Sequence, residues 1–454
     1  MLLEFILLTL LYNLMTRYLL KKTQHGITFL MLYLIVALSA CKDDNIASGY
    51  DPSSPVEITR IDPEEGGVGT QCLIYGKNFG TDVSQIEVTV NGKKARIVGS
   101  DGNCVYCFVP LRAGSGPIKV RVGNEESAQE AVSEKEFKYS YALRVSTLCG
   151  YTDKNGKSEI KDGVLSEAGF EVPYWMEIDQ KTGDLYLLEE KKAIRRISMA
   201  KDTVETIFKI TESMNQPRSL SFSTDFDTLF VSNDQGSDTG ISTAIALRST
   251  GFKKFTQLIS GYSCCGASCH PKRAGEYYYT QWQQGSVFKW DGTTNTSKEL
   301  FQIVGQLNGT LQFAPSGKFA YIADRDHHVI YKAIYDEQKH ELQKANPFCG
   351  SRDQDGFVDD IGASARFRNP TQGCFDENDN FYICDQGNYC IRKISPNGTV
   401  TTFAGRPGDW GYADGDLRKE AQFNRPHGIA YDPATETFYV ADKNNLRIRT
   451  ILKE

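Results

Sequence analysis

One five-residue pattern recurs six times along the chain: LYLLE (185–189), LFVSN (229–233), YYYTQ (277–281), AYIAD (320–324), FYICD (381–385) and FYVAD (438–442). Each copy has an aromatic second residue, an apolar third and an acid or amide fifth. Each is followed by a second short run, such as AIRRI, VFKW or CIRKI. Short runs rich in β-branched and aromatic residues read as strands. Thirteen residues before the aromatic stand Pro173, Pro217 and Pro426, each opening a further strand; Pro370 does so at twelve, and Cys265 and Asn308 take that place in the other two copies. The copies therefore mark small sheets repeating every ~45–60 residues. A sheet of that size cannot bury its apolar face alone, so neighbouring copies must stack on one another.

These units resemble NHL repeats, most closely in RNPTQGCFDENDNFYICDQGNYCIRKIS and NRPHGIAYDPATETFYVADKNNLRIRTI, and least in the third unit. The resemblance implies an all-β, six-bladed β-propeller over residues 141–454. The chain stops at Glu454, after the third strand of the sixth unit. LRVSTL (143–148), far upstream, reads as the missing outer strand, so that the two ends of the domain close one blade and hide strand edges. The connectors agree, because CGYTDKNGKSEIKDGVLSEAGFEVP (149–173), CGSRDQDGFVDDIGASARFRNP (349–370) and AGRPGDWGYADGDLRKEAQFNRP (404–426) are three copies of one segment.

Upstream, short alternating runs bounded by turn residues (VEITRIDP, QCLIYGKNF, QIEVTVNGKKARIV, CVYCFVP and PIKVRVG) predict a small β-sandwich. Pro63 with its Gly pair, the YGKNFG turn, VNGKKA and Val109-Pro110 resemble the IPT/TIG immunoglobulin-like domain over residues 55–140, a module that usually serves as spacer or interaction surface. At the N-terminus, Lys21 and Lys22 precede the apolar run ITFLMLYLIVAL (27–38), then Ser39, Ala40 and Cys41. That run is short for a membrane span. The order resembles a bacterial lipobox, which implies a signal peptide over residues 1–40, acylation of Cys41, and a tether over residues 41–54. CKDDN (41–45) resembles the surface-export tag of outer-membrane lipoproteins, so the expected location is the outer membrane, facing outward.

A formal net charge of −6 with no basic run argues against nucleic acid as a partner. Of 12 cysteines, removal of Cys41 leaves an odd number, and several fall at inward-looking strand positions; few or no disulfides are expected.

In a propeller, the connector entering each innermost strand and the turn between second and third strands share one face. The candidate ligand-binding residues there are Tyr174, Trp175, Arg218, Trp282, Arg325, His327, Gln372, Tyr389, Trp410 and His427, with His270, Asn308 and Thr371 beside them. Aromatic faces with Arg, Asn and Gln suit a pyranose, whose C–H face stacks and whose hydroxyls take directional bonds. The competing reading is that Trp175 and Trp282 are packing residues and the rest a solvated rim. The fifth-position residues Glu189, Asn233, Gln281, Asp324, Asp385 and Asp442 could ring a divalent cation, as in metal-dependent propeller lactonases; their presence in every unit favours a repeat-structural role as turn caps. CCGASCHP (264–271) lacks a second metal-ligating pair and reads as a packed strand. No nucleophile elbow, zinc-protease helix or phosphate loop is present. The resulting expectation is a non-catalytic surface lipoprotein without a cofactor. It would capture polysaccharide or oligosaccharide beside an outer-membrane import receptor. The alternatives are a metal-dependent propeller lyase or lactonase, and a protein-binding scaffold.

Overall fold

The computed structural model describes residues 49–124, 128–262 and 264–454. The expected signal peptide and Cys41 lie outside the described residues. The fold is all-β. Contacts divide the chain after Ala142, and the larger unit runs from Leu143 to Lys453.

In the smaller unit, one sheet holds Glu57–Asp62, Gln71–Gly80, Gly102–Phe108 and Arg96–Ser100 in that order, and the other holds Glu65–Gly66, Gln129–Tyr139, Gly116–Val122, Ile86–Val90 and Lys93–Lys94. Alternation sets which side chains turn inward: Ile86, Val88 and Val90 are buried while Glu87 and Thr89 are not. Ile74, Phe79, Val105, Val120 and Phe137 complete the core. The segment expected to be a free tether is partly docked here. Asn78, held at φ 62° in the YGKNFG turn, accepts from the Asp51 N–H at 2.8 Å and donates to the carbonyls of Asp51 and Ser54. Tyr50 packs against the core, so the segment from Tyr50 to Ser54 belongs to the sandwich.

The larger unit contains six sheets, numbered here in chain order by their first strands: Pro173–Asp179, Pro217–Phe222, Cys264–Cys269, Gly309–Phe313, Pro370–Phe375 and Pro426–Asp432. In each, the repeated motif forms the second strand. Side-chain hydrogen bonds link every sheet to the next. Trp175 Nε1 donates to Leu220 O, Cys269 N to Ser221 Oγ, Thr280 Oγ1 to Gly309 O, Thr310 Oγ1 to Thr371 O, and Thr371 Oγ1 to His427 O. The series returns to its start where His427 Nδ1 meets Tyr174 O at 3.1 Å. The strand Leu143–Cys149 pairs antiparallel with Arg447–Lys453 in the sixth sheet.

Three of the sheets share a buried charged assembly. Arg195, Arg392 and Arg449 occupy the same place in the third strand of sheets one, five and six, and each is 0% exposed. Each donates to the fifth-position acid of its own sheet (Glu189, Asp385, Asp442) at 2.5–2.9 Å. Each also donates to an aspartate of the long connector (Asp162, Asp359, Asp414) at 2.5–2.8 Å. Two connector carbonyls and the ring of Phe170, Phe367 or Phe423 also contact each guanidinium, while the buried Nε of Arg195 has no partner among the described residues. The same connector aspartate accepts the N–H and hydroxyl of an outer-strand threonine, Thr206, Thr402 or Thr147. Thr147 thus does in the sixth sheet, from residues 143–149, what Thr206 and Thr402 do in sheets one and five.

Asp324 meets His327 of the following turn, as a turn cap would, but four of the other fifth-position residues also reach elsewhere. Glu189, Asn233, Asp385 and Asp442 accept backbone N–H groups of the connector leading into their own sheet's first strand. All eleven described cysteines are free, and CCGASC is a wholly buried first strand.

Candidate functional site

The leading ends of the first strands carry a compact polar cluster. Tyr174 follows the proline that opens sheet one, and its ring stacks on His427 of sheet six with centroids 3.7 Å apart. Arg218, in the equivalent place of sheet two, donates to the Tyr174 hydroxyl at 3.3 Å and, through Nε and Nη2, to Asp234 at 3.0 and 2.6 Å. Lys443 lies 5.0 Å from the centre of the Tyr174 ring and 2.7 Å from Glu190. His427 is buried, and its Nδ1 carries the proton because its partner is a carbonyl. Burial, followed by the charges of Lys443, Arg325 and Arg218, pushes its pKa well below the ordinary histidine value, so His427 is neutral at pH 7.

Arg325 stands apart from the other cations of this cluster. Among the described residues it has no ion pair; its Nη2 is 3.5 Å from Gln386, and its buried Nε has no partner. His327 is turned inward, with Nδ1 2.7 Å from Asp324. Tyr389 holds the left-handed position at the end of the turn Gln386–Asn388. Trp282 and Trp410 are 39% and 62% exposed.

Besides Tyr174 and His427, two of the sequence-predicted ligand residues are buried. Trp175 is 0% exposed, its indole packed between sheets one and two, so it offers no ring face for stacking. Gln372 is also buried, and its amide bridges to sheet one by accepting from Met176 N and donating to Met176 O. His270 lies past the end of its strand, at the trailing rather than the leading ends, with Nε2 3.1 Å from Gly317 O. Glu190, Asp234 and Lys443 were not singled out from the sequence. Each directly follows a fifth-position residue, and that doubled polar position was the available signal.

A metal held by the fifth-position carboxylates does not fit these residues. Glu189, Asp385 and Asp442 are committed to arginines and Asp324 to His327. Among the described residues no group of three or more His, Cys, Asp or Glu could hold a metal ion. What the leading-end face offers is donors and exposed indole rings.

Family comparison finds matches in both units of the chain. Residues 55–141 match the IPT/TIG domain, 265–410 the SMP-30/Gluconolactonase/LRE-like region, and 423–451 the NHL repeat. Among solved structures, an auxiliary nutrient binding protein from Bacteroides thetaiotaomicron is 36% identical, with TM-score 0.73, over 90% of this chain and 100% of that one. An auxiliary nutrient binding protein from Bacteroides ovatus is 31% identical, with TM-score 0.75, over 89% and 100%. A further Bacteroides thetaiotaomicron protein, described as a candidate phosphatase, is 32% identical with TM-score 0.68 over 90% and 99%. The chain belongs to the same protein family as these Bacteroides proteins, matching them across both of its units. Human NHL repeat-containing protein 2 is 33% identical over 98 residues, which span 21% of this chain and 13% of that relative.

Proposed function

We propose that the protein is a non-catalytic, lipid-anchored cell-surface protein that binds polysaccharide or oligosaccharide for a neighbouring outer-membrane import system. The observation that carries this reading is its likeness, over nine-tenths of its length, to a Bacteroides auxiliary nutrient binding protein. In this reading residues 1–40 are the signal peptide, Cys41 carries the acyl chains, and the IPT/TIG domain is the spacer. Residues 141–454 are one six-bladed propeller, closed by the strand Leu143–Cys149. The cyclic hydrogen-bond series through the six sheets supports that closure.

The glycan lies on the leading-end face. Trp410 and Trp282 supply stacking surfaces, and Arg218, Lys443 and Arg325 orient hydroxyls or an acidic group. Affinity electrophoresis of the protein through gels containing plant, host and microbial polysaccharides tests the reading. Retardation by one glycan class, with its chain length unchanged and retardation lost in Trp410→Ala or Trp282→Ala, is the expected result. Free migration in every gel, or shortening of the glycan, overturns it. Incorporation of labelled palmitate into the wild type but not Cys41→Ala checks the anchor.

A further inference from the structure

A cavity of about 410 Å³ lies at the opposite, trailing ends of the same six first strands, within the size range of small-molecule sites. One layer of its wall is defined by register. The residue paired with the aromatic of each repeated motif is Glu177, Ser221, Ser268, Gln312, Cys374 and Ala430 in sheets one to six. Directly opposed residues of an antiparallel pair project from the same side of the sheet, and all six line the cavity. Position in the repeat therefore brings one residue from each sheet to one level, and only the first sheet supplies a carboxyl group.

Glu177 has no ion pair or hydrogen bond among the described residues. Among the polar residues of this layer, Ser221 Oγ accepts from Cys269 N and keeps its own proton to donate. Ser268 Oγ donates its proton to Cys269 O, leaving lone pairs; the Gln312 amide, with one carbonyl acceptor and an NH2, is unpartnered among the described residues; Phe222, Phe313 and Phe375 add apolar surface. The other titratable groups lining it are Lys272, exposed at the rim, the Cys269 and Cys374 thiols, both pushed up chiefly by burial, and Tyr431, whose hydroxyl donates to Glu377. None of them compensates a carboxylate at Glu177.

We propose that this cavity is a binding site for a small organic cation, with a primary ammonium seated against Glu177 and the acceptors of Ser268 and Gln312. An ammonium carries three donors and no acceptor, which matches a layer rich in lone pairs around one carboxyl. The charge-assisted bond to Glu177 is the strong contact. An anion would meet the carboxyl, and a neutral polyol of the same shape would forfeit that charge-assisted bond. Burial raises the Glu177 pKa to about 8, so seating a cation at neutral pH expels a proton from the carboxyl. Affinity for an alkylammonium, which stays protonated over this range, then rises with pH by about tenfold per unit below that pKa and levels off above it. This site is independent of the leading-end face and of the glycan reading.

Titration calorimetry of the full chain with n-propylammonium, ethanolammonium and glucosamine, each against its uncharged counterpart n-propanol, ethylene glycol or glucose, tests the proposal. At least one ammonium should bind ten or more times more tightly than its counterpart. Repeating the titration in buffers of different ionisation enthalpy should reveal proton release near pH 7. Glu177→Gln should abolish that preference, and Lys272→Glu, an exposed change at the rim, should strengthen ammonium binding several-fold. Equal affinity for charged and uncharged members of every pair, no binding by any ammonium at millimolar concentration, or unchanged preference in a folded Glu177→Gln variant would each overturn it. Should Glu177→Gln fail to fold, a null response of Lys272→Glu does the same.

Discussion

Sheets one, five and six differ from sheets two, three and four at one position of the third strand and in the connector that precedes them. The first group has a wholly buried arginine there, and its connectors run over residues 150–172, 351–369 and 405–425. In the second group Ala244, Phe288 and Tyr331 occupy the place, and the connectors are short, as at 210–216 and 303–308. Both groups must tie the connector backbone to the second strand. In sheet two Asn233 does this with a neutral amide, accepting from Gln216 N and donating to Ile241 O. A long connector has too few apolar residues to form a core of its own. It is held instead by an arginine reaching from the sheet to its aspartate and carbonyls. Sheet four is intermediate: it keeps the acid, Asp324, without the arginine. His327 from the next turn approaches one carboxylate oxygen, and the other is buried without a partner.

The largest expected effect comes from removing the centre of one assembly. Arg392→Met strands Asp385 without its cation and should cost about 3–5 kcal/mol of unfolding free energy in urea titrations. Replacing Asp385 by Leu in the same chain should restore much of that loss, since the residual penalty is the unpaired buried charge.

pH sharpens the same contrast. Asp385 and Asp442 are raised to about 6, because burial outweighs the opposing pull of Arg392 and Arg449. A carboxyl that holds its proton more tightly when folded contributes stability that is complete below its unfolded value of 3.8 and lost as pH rises through about 6. Each should contribute a fall on the order of 2–3 kcal/mol over that window, and Asp385→Asn should flatten its share. A neutral amide at the fifth position adds no such slope. Asn233→Ala should cost only about 1–2 kcal/mol and leave the pH profile unaltered. Were it to match Arg392→Met, the division between the two groups of sheets would lose its energetic meaning.

The smallest effect on stability, within about 0.5 kcal/mol, is expected at Trp410, because the ring is mostly in solvent. Its removal should register only in ligand retention. Trp175→Ala, by contrast, empties a core position and should cost about 3–5 kcal/mol.

Repeat spacing and strand character made the six second strands readable in advance, together with the place of residues 143–149, because a repeat exposes its own missing element. The three connector copies were equally plain. Their function as arginine-held loops was not, since the link between Arg392 and Asp359 crosses from a strand to a loop with no local pattern joining them. The same limit applied to Trp175. Its position beside Tyr174 suggested a shared face, yet neighbours along a strand point to opposite sides, one toward His427 and the other into the core. Strand position alone predicted where a residue would sit; alternation decided what it could touch.

The strand Leu143–Cys149 also sets an order of events in the making of the protein. Ser146 accepts a hydrogen bond from Thr450, 304 residues later in the chain. A polypeptide emerging from a ribosome or a translocation pore releases the outer strand of the sixth sheet before any of its partners exist. The intervening sheets can form from neighbouring segments, but this strand must wait with its backbone groups unpaired. Contacts so distant along the chain are slow to form. Pairing of Leu143–Cys149 with Arg447–Lys453 therefore waits until the end of the chain has been made.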